Sequence, residues 1–102
     1  MSKLPALKNV YFLDFEATCE EKNPPGYPHE IIEFPAVLVS AKEKSIIDVF
    51  HSFVRPTINP ILSEFCHNLT GISQDTVDNA DTFEIVHERF LGWMAKHELT
   101  TR

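Results

Sequence analysis

Two acidic residues stand two positions apart, Asp14 and Glu16, within the apolar segment from Val10 to Thr18. Side chains alternate between the two faces of a β-strand, so residues i and i+2 share a face. We therefore expect both acids on one face of a strand. Asp is disfavoured in strands, and like charges on one face repel each other. The pair therefore predicts a bound cation, most simply Mg²⁺ or Mn²⁺, which take carboxylate oxygens as ligands.

A simpler interpretation of the same pair is two solvated acids at the end of a strand. A spacing of one residue between an Asp and a Glu recurs by chance in unrelated sequences. The spacing alone therefore leaves both interpretations open, and the rest of the chain has to decide between them.

The first half of the chain predicts three consecutive strands joined by turns, which is typical of an antiparallel meander. The predicted strands are residues 10–16, 30–40 and 45–54. Residues 20–28 contain three prolines and a glycine, which indicates a loop. Pro35 inside the second strand predicts a bulge or an edge position.

The spacing of apolar residues then changes to three and four, which is typical of helices. The Asn59–Pro60 pair predicts an N-cap and the first residue of a helix, and Gly71 predicts the end of that helix. Residues 73–78 predict one further helical turn. A capping box at 81–84 predicts the start of an amphipathic helix that runs to about residue 97.

Strands followed by helices predict an α/β layer protein, and no strand follows the last predicted helix. We therefore expect an incomplete α/β domain, with three strands and the following helices present. Residues 1–8 are predicted to be a disordered start, and residues 9–102 the N-terminal portion of one domain. A chain of 102 residues has room for one small domain.

The composition limits the partners. Lys and Arg total 9 against 15 Asp and Glu, so the net charge is −6. A nucleic-acid-binding surface is usually basic, although metal ions at an acidic site would reverse the local sign of the charge.

Cys19 and Cys66 form no C-x-x-C pair, which predicts small buried residues in a reducing compartment, the cytoplasm or nucleus. No apolar stretch approaches the length of a membrane span.

Three segments together resemble a known family. They are Phe-Leu-Asp-Phe-Glu-Ala-Thr-Cys at 12–19, His-Glu-Ile-Ile-Glu-Phe-Pro at 29–35 and Leu-Thr-Gly-Ile at 69–72. In this order, and followed by the helix that carries Trp93, they resemble the DEDDh 3′→5′ exonucleases. The branch that they resemble most is the Eri-type exoribonucleases, which include histone-mRNA 3′-end exonucleases. The resemblance extends from about Asn9 to Leu99.

The resemblance implies an RNase H-like fold, a mixed sheet with flanking helices, and phosphodiester hydrolysis with two Mg²⁺ or Mn²⁺ ions. It implies that Asp14 bridges both ions. It also implies that Glu16 binds the ion carrying the attacking water and lies near the 3′-terminal hydroxyl, which the backbone amide of Ala17 contacts. Residues 69–72 would lie near the terminal nucleotide. The implied substrates are RNA 3′ ends, either single-stranded tails or duplex overhangs.

The family's complete site has four acids and one histidine, and only the first two acids are present in these 102 residues. None of the five histidines has the family's spacing to a following Asp, and we interpret them as surface or half-buried residues: His29, His51, His67, His87 and His97. Glu30 and Glu33 are interpreted as mainly structural, capping neighbouring amides or facing the substrate. We therefore expect this chain alone to be inactive.

Two other functions stay open from the sequence. The chain could be a truncated, non-catalytic isoform or interaction fragment, or it could belong to a proofreading-type DNA exonuclease, which shares the D-x-E pair. The sequence leaves the oligomeric state unknown.

Overall fold

A computed structural model describes residues 9–97, so the prediction of a disordered start lies outside the described residues. Four strands form one antiparallel sheet: β1 Asn9–Leu13, β2 Glu16–Ala17, β3 Ile31–Ser40 and β4 Ser45–Phe53. The long strand β3 is central, with β1 and β2 along one side and β4 along the other. The three predicted strands are confirmed, except that the first is divided in two.

Pro35 explains the division of the first strand. Leu13 pairs with Ala36, and Glu16 pairs with Glu33, so the register continues across the break with no inserted residue. The residue of β3 that faces Asp14 is therefore Pro35, which has no N–H to donate to the ladder. The expectation of a bulge or an edge position at Pro35 was wrong. Pro35 lies in the central strand, and the missing hydrogen bond interrupts the neighbouring strand instead.

The register shifts of β3 lie at other positions. Opposite β2, the shift between Glu16 and Ala17 leaves Ile32 as an extra residue of β3. Opposite β4, the shift between Leu38 and Val39 leaves Ile47 as an extra residue of β4. A bulge changes the alternation of side chains between the two faces. The alternation of β3 side chains between the two faces of the sheet is therefore offset by one residue at Ile32.

Three helices follow the strands: α1 Glu64–Thr70, α2 Gln74–Asp78 and α3 Phe83–Lys96. The N-cap of α1 is Ser63, whose hydroxyl accepts a hydrogen bond from the Cys66 N–H at 3.0 Å, so the predicted start at Asn59–Pro60 was wrong. Gly71 ends α1 in the left-handed conformation with φ 75°, as predicted. None of the helices within residues 9–97 is long and apolar enough to span a membrane.

The start of α3 also differs from the prediction. Its N-cap is Thr82, which makes no side-chain capping hydrogen bond. Asp81, predicted as the capping residue, instead forms an ion pair with Arg89.

At the C-terminal end of α3, Asp48 of β4 accepts hydrogen bonds from Trp93 Nε1 at 2.9 Å and His97 Nε2 at 2.8 Å. The hydrogen bond from His97 is the main reason why the pKa of Asp48 lies well below its usual range.

The helices pack on both faces of the sheet. Phe50 of β4 packs against a cluster that contains the buried residues of α3, namely Val86, Phe90 and Trp93. Phe53, three residues further along the same strand, packs against the second cluster, which consists of Ile32, Cys66, Ile72 and Val77. Residues three apart in a strand point to opposite faces. We therefore place α3 on one face of the sheet and the α1–α2 pair on the other.

Candidate metal site and its surroundings

Asp14 and Glu16 lie where the first strand is divided. Asp14 follows the last residue of β1 and is exposed, and Glu16 is the first residue of β2 and is half-buried. Because the register is unbroken between the two strands, alternation places both acids on one face of the sheet. Glu16 is paired with Glu33, which is itself paired with Phe53 of the α1–α2 cluster. The two acids therefore lie on the face that carries α1 and α2.

The chemistry of these two side chains fits a hard divalent cation. Within residues 9–97, neither carboxylate of the pair takes part in a hydrogen bond or an ion pair, so their oxygens have no competing partner there. No group of three or more His, Cys, Asp or Glu residues in that range is arranged to hold a metal ion. Mg²⁺ is commonly bound by one or two carboxylates, with waters and substrate phosphates as its other ligands. The pair fits such a cation as two of its ligands.

The backbone of Ala17 points toward the open edge of the sheet. Its neighbour Thr18 donates its N–H to the Glu30 carbonyl at 2.8 Å, so Thr18 faces β3. The carbonyl of Ala17 instead accepts a hydrogen bond from the Cys66 thiol, at 3.6 Å, and so points to α1. The N–H and C=O of one strand residue point to the same side. The N–H of Ala17 is therefore directed away from β3, toward the edge beside α1.

Helix α1 is attached to the same edge by two side chains. The Ser63 hydroxyl donates to the Cys19 carbonyl at 2.8 Å, and the fully buried Cys66 contacts Ala17 as described. On its outer side the helix exposes Phe65 at 37% and Leu69 at 67%. An apolar helix surface therefore lies next to the strand that carries the acids.

The two cysteines are free thiols with a structural environment. Burial, followed by the neighbouring Cys66, raises the pKa of Cys19 to about 11. A thiol with so high a pKa carries almost no thiolate at neutral pH and is a poor nucleophile. Cys66 matches the predicted role of a small buried side chain, whereas Cys19 is only half-buried.

Glu30 has its oxygens occupied by the backbone. Its carboxylate accepts hydrogen bonds from the N–H groups of Thr57 at 2.7 Å, Ile58 at 3.0 Å and Asn59 at 2.8 Å. Burial alone would raise the pKa of Glu30, but the bonds from Asn59, Ile58 and Thr57 outweigh it, and the pKa is lowered. The predicted amide-capping role fits this geometry, which fixes the loop after β4 to the start of β3.

Glu33 has a partner that sequence reasoning missed. Its Oε2 lies 2.6 Å from His51 Nε2, across the β3–β4 pairing. The two residues are 18 positions apart, so no local sequence pattern indicates the contact. The remaining histidines contact groups elsewhere: His29 the Thr18 carbonyl, His67 the Ile72 carbonyl, His87 the Phe83 ring and His97 Asp48.

An antiparallel sheet with helices on both faces, and a free carboxylate pair at a divided strand, defines an α/β protein with a candidate divalent-metal site. The sequence profile of the RNase T-type exonuclease family matches residues 11–101. The chain therefore belongs to this exonuclease family.

Among curated relatives, human 3′-5′ exoribonuclease 1 is 54% identical over 93 residues. The match covers 91% of this chain and 27% of the human protein, so the chain spans about a quarter of that relative's length.

Two solved structures share the fold. The nuclease domain of 3′hExo, a DEDDh family member bound to rAMP, superposes with a TM-score of 0.88 at 53% identity, covering 93% of this chain and 48% of that one. A 3′-exonuclease in a complex described as 3′-end specific recognition of a histone mRNA stem-loop has a TM-score of 0.87 at 52% identity. That match covers 93% of this chain and 42% of the other. These likenesses confirm the predicted family resemblance and fold class.

Proposed function

We propose that this chain forms part of a divalent-metal-dependent 3′→5′ exoribonuclease domain. The observation that carries the proposal is the free Asp14 and Glu16 carboxylates on one sheet face, inside a segment that matches the exonuclease family. RNA as the substrate class is supported by the human relative, which is named as an exoribonuclease and is 54% identical.

Asp14 and Glu16 are the residues that would hold the metal, as Mg²⁺ or Mn²⁺ and as two ions in a complete domain. Bound ions of this kind polarise a phosphoryl oxygen and lower the pKa of a coordinated water. In this proposal Asp14 and Glu16 would both serve as metal ligands, and Glu16 would also lie near the 3′-terminal hydroxyl of the RNA. The contribution of the chain is to hold the two carboxylates on one face, through the pairing of Glu16 with Glu33.

The terminal nucleotide would lie between the edge of β2 and α1. The N–H of Ala17 is directed toward this edge and can donate to an oxygen of the terminal ribose. Beside it, Phe65 and Leu69 of α1 offer an apolar surface to a base or a sugar. The related DEDDh nuclease domain bound to rAMP supports a mononucleotide-sized site in this family.

The activity of this chain alone is expected to be low. A DEDDh site has four acids and a histidine, and the chain supplies two of the acids while covering 48% of the related nuclease-domain chain. Removing ligands from a metal site removes much of the electrostatic stabilisation on which the rate depends. A non-catalytic role of the fragment is therefore kept as an alternative.

The free thiols of Cys19 and Cys66 support a reducing compartment, the cytoplasm or nucleus.

The test measures binding and shortening of a labelled single-stranded RNA in the presence and absence of Mn²⁺. We expect Mn²⁺-dependent binding that is lost in Glu16→Gln, with little shortening of the RNA. Glu43→Gln is the matched control, because Glu43 is exposed in the turn between β3 and β4. That variant should bind as the wild type does.

Two outcomes would contradict the proposal, and a third would contradict the expected low activity. Binding that is independent of Mn²⁺ and of Glu16 would exclude the carboxylate pair as the metal site. Equal binding of RNA and of DNA of the same sequence, chosen without U or T, would remove the RNA specificity, since the 2′-hydroxyl then distinguishes the two substrates. Rapid shortening by the wild type would show instead that two acids are sufficient, which contradicts the expected low activity.

A further inference from the structure

A third acid stands beside the candidate metal ligands. Glu33 is directly opposite Glu16 in the β2–β3 pairing. Residues directly opposite each other in antiparallel strands share a face, with Cβ atoms roughly 4.5–5.5 Å apart. Glu33 therefore extends the acidic face formed by Asp14 and Glu16, and its charge opposes that of Glu16 in the absence of a cation.

The carboxylate of Glu33 is held in place by His51. The 2.6 Å contact joins Glu33 Oε2 to His51 Nε2. An ionised carboxylate can only accept hydrogen bonds, so Nε2 is the donor. The imidazole ring also stands edge-on against Phe53, with the ring centroids 4.9 Å apart and an interplanar angle of 88°. His51 is therefore fixed from two sides, and it fixes one oxygen of Glu33 in turn.

We propose that Glu33, oriented by His51, is a positioning residue for the divalent cation bound by Asp14 and Glu16. The inference rests on the proposed function of that pair. Glu33 does not form a three-ligand group with the two acids, because residues 9–97 contain no such group. It acts instead through its charge and through its free oxygen, which can accept a hydrogen bond from a metal-bound water. Substitution of residues that hydrogen-bond to the ligands of a metal, without binding the metal themselves, weakens metal binding about 10- to 100-fold.

Manganese affinity of the chain, measured by calorimetric titration, tests the inference. Because Glu33 and His51 are partly exposed, we expect the lower end of that range, about a 10-fold weaker affinity in Glu33→Gln. His51→Ala should weaken binding in the same direction. His51→Gln, whose amide can still donate a hydrogen bond, should recover most of the affinity lost in His51→Ala. Glu43→Gln in the distant turn is the control for removal of one negative charge.

A second readout separates positioning from a merely structural role. Without metal, Glu33→Gln removes the repulsion with Glu16 and keeps a group that accepts a hydrogen bond from His51, so Tm should stay the same or rise. A lower Tm of Glu33→Gln without metal would overturn the inference in favour of a structural role.

The failure of this inference can be distinguished from the failure of the proposed function. If Glu16→Gln loses Mn²⁺ binding and Glu33→Gln binds as tightly as the wild type, the metal site stands and the role of Glu33 is overturned. If the wild type binds no Mn²⁺, both are overturned.

Discussion

Acidic side chains near the start of the sheet fall into two groups according to their partners. The carboxylate of Glu30 accepts hydrogen bonds from three backbone N–H groups of the loop after β4. Asp14 and Glu16 make no hydrogen bond or ion pair with the other described residues. The same functional group is thus structural in one position and available for a ligand in the other, and only the fold distinguishes the two.

Glu30→Gln is predicted to destabilise the chain. The substitution removes the negative charge that three backbone donors share, and hydrogen bonds to charged groups contribute about 1.5–3 kcal/mol each where they are buried. Because Glu30 is only half-buried, we expect a loss of about 1–2 kcal/mol in the free energy of unfolding, measured by urea denaturation. Glu88→Gln is the control, since Glu88 is exposed on α3. Equal stability of the two variants would contradict a stabilising role of the hydrogen bonds to the Glu30 carboxylate.

The same carboxylate predicts a dependence on pH. The pKa of Glu30 is lowered from 4.5 in the folded chain, so the folded state favours the ionised form. Its contribution to stability is therefore complete above pH 4.5 and is lost as the pH falls through the lower pKa of the folded state. The stability difference between wild type and Glu30→Gln should shrink on acidification below pH 4.5. A difference that grows in acid would contradict the lowered pKa.

At the scale of elements, replacement of glycine by alanine is expected to have opposite effects on stability at two positions. Gly71 ends α1 with φ 75°, and a Cβ there would meet no atom within 4 Å, so only backbone strain opposes Gly71→Ala. We expect a loss of about 1 kcal/mol in the free energy of unfolding. Gly92 lies inside α3 with equally open space, and Gly92→Ala should gain about 0.5–1 kcal/mol. Effects of the same sign in thermal melts would contradict this account.

Much of the element order could be predicted because it depends on local sequence. Segments rich in β-branched and aromatic residues, with turn residues between them, predicted the strands, and the three-to-four spacing of apolar residues predicted α3. Helix starts were less predictable: Asn59–Pro60 carries a helix-start pattern, yet Ser63 caps α1, while the Leu62 N–H bonds to the Gln74 side chain 12 residues away. The local pattern at Asn59–Pro60 does not show such a contact between distant residues.

The site could be predicted in part, for the same reason. The D-x-E spacing identified Asp14 and Glu16 as candidate metal ligands, because alternation in a strand is a local property. The contact of Glu33 with His51 spans 18 residues and depends on the register of β3 with β4, which a single sequence does not show. The division of the strand at Pro35 depends likewise on which residue faces Asp14 across the sheet.

The whole molecule has two small cores on opposite faces of one sheet. The α3 cluster and the α1–α2 cluster are separate, and the strands join them. The face that carries α1 and α2 also exposes an apolar patch made of Phe12 at 61%, Ile46 at 66% and Val49 at 53%. Exposed patches of this kind are interaction or aggregation sites. A chain built in this way is expected to unfold in more than one step or to associate.

We predict a broad thermal transition in which Trp93 fluorescence and far-UV circular dichroism do not coincide. Trp93 is the single tryptophan of the chain and reports on the α3 cluster, whereas circular dichroism reports on all helices. Size-exclusion chromatography at several concentrations would show whether the chain associates. A steep, coincident transition of a monomer would contradict this prediction, because it is the signature of two-state unfolding.

The outward direction of the Ala17 N–H bears on how this edge can change by mutation. Every amino acid except proline carries a backbone N–H, so the donor remains when the side chain at position 17 is replaced. Sequence variation at this position therefore alters the side chain and leaves the hydrogen-bond donor intact. If the proposed function holds, a backbone donor of this kind would not distinguish one base from another, so an RNA end that contacted it would be bound whatever its terminal nucleotide.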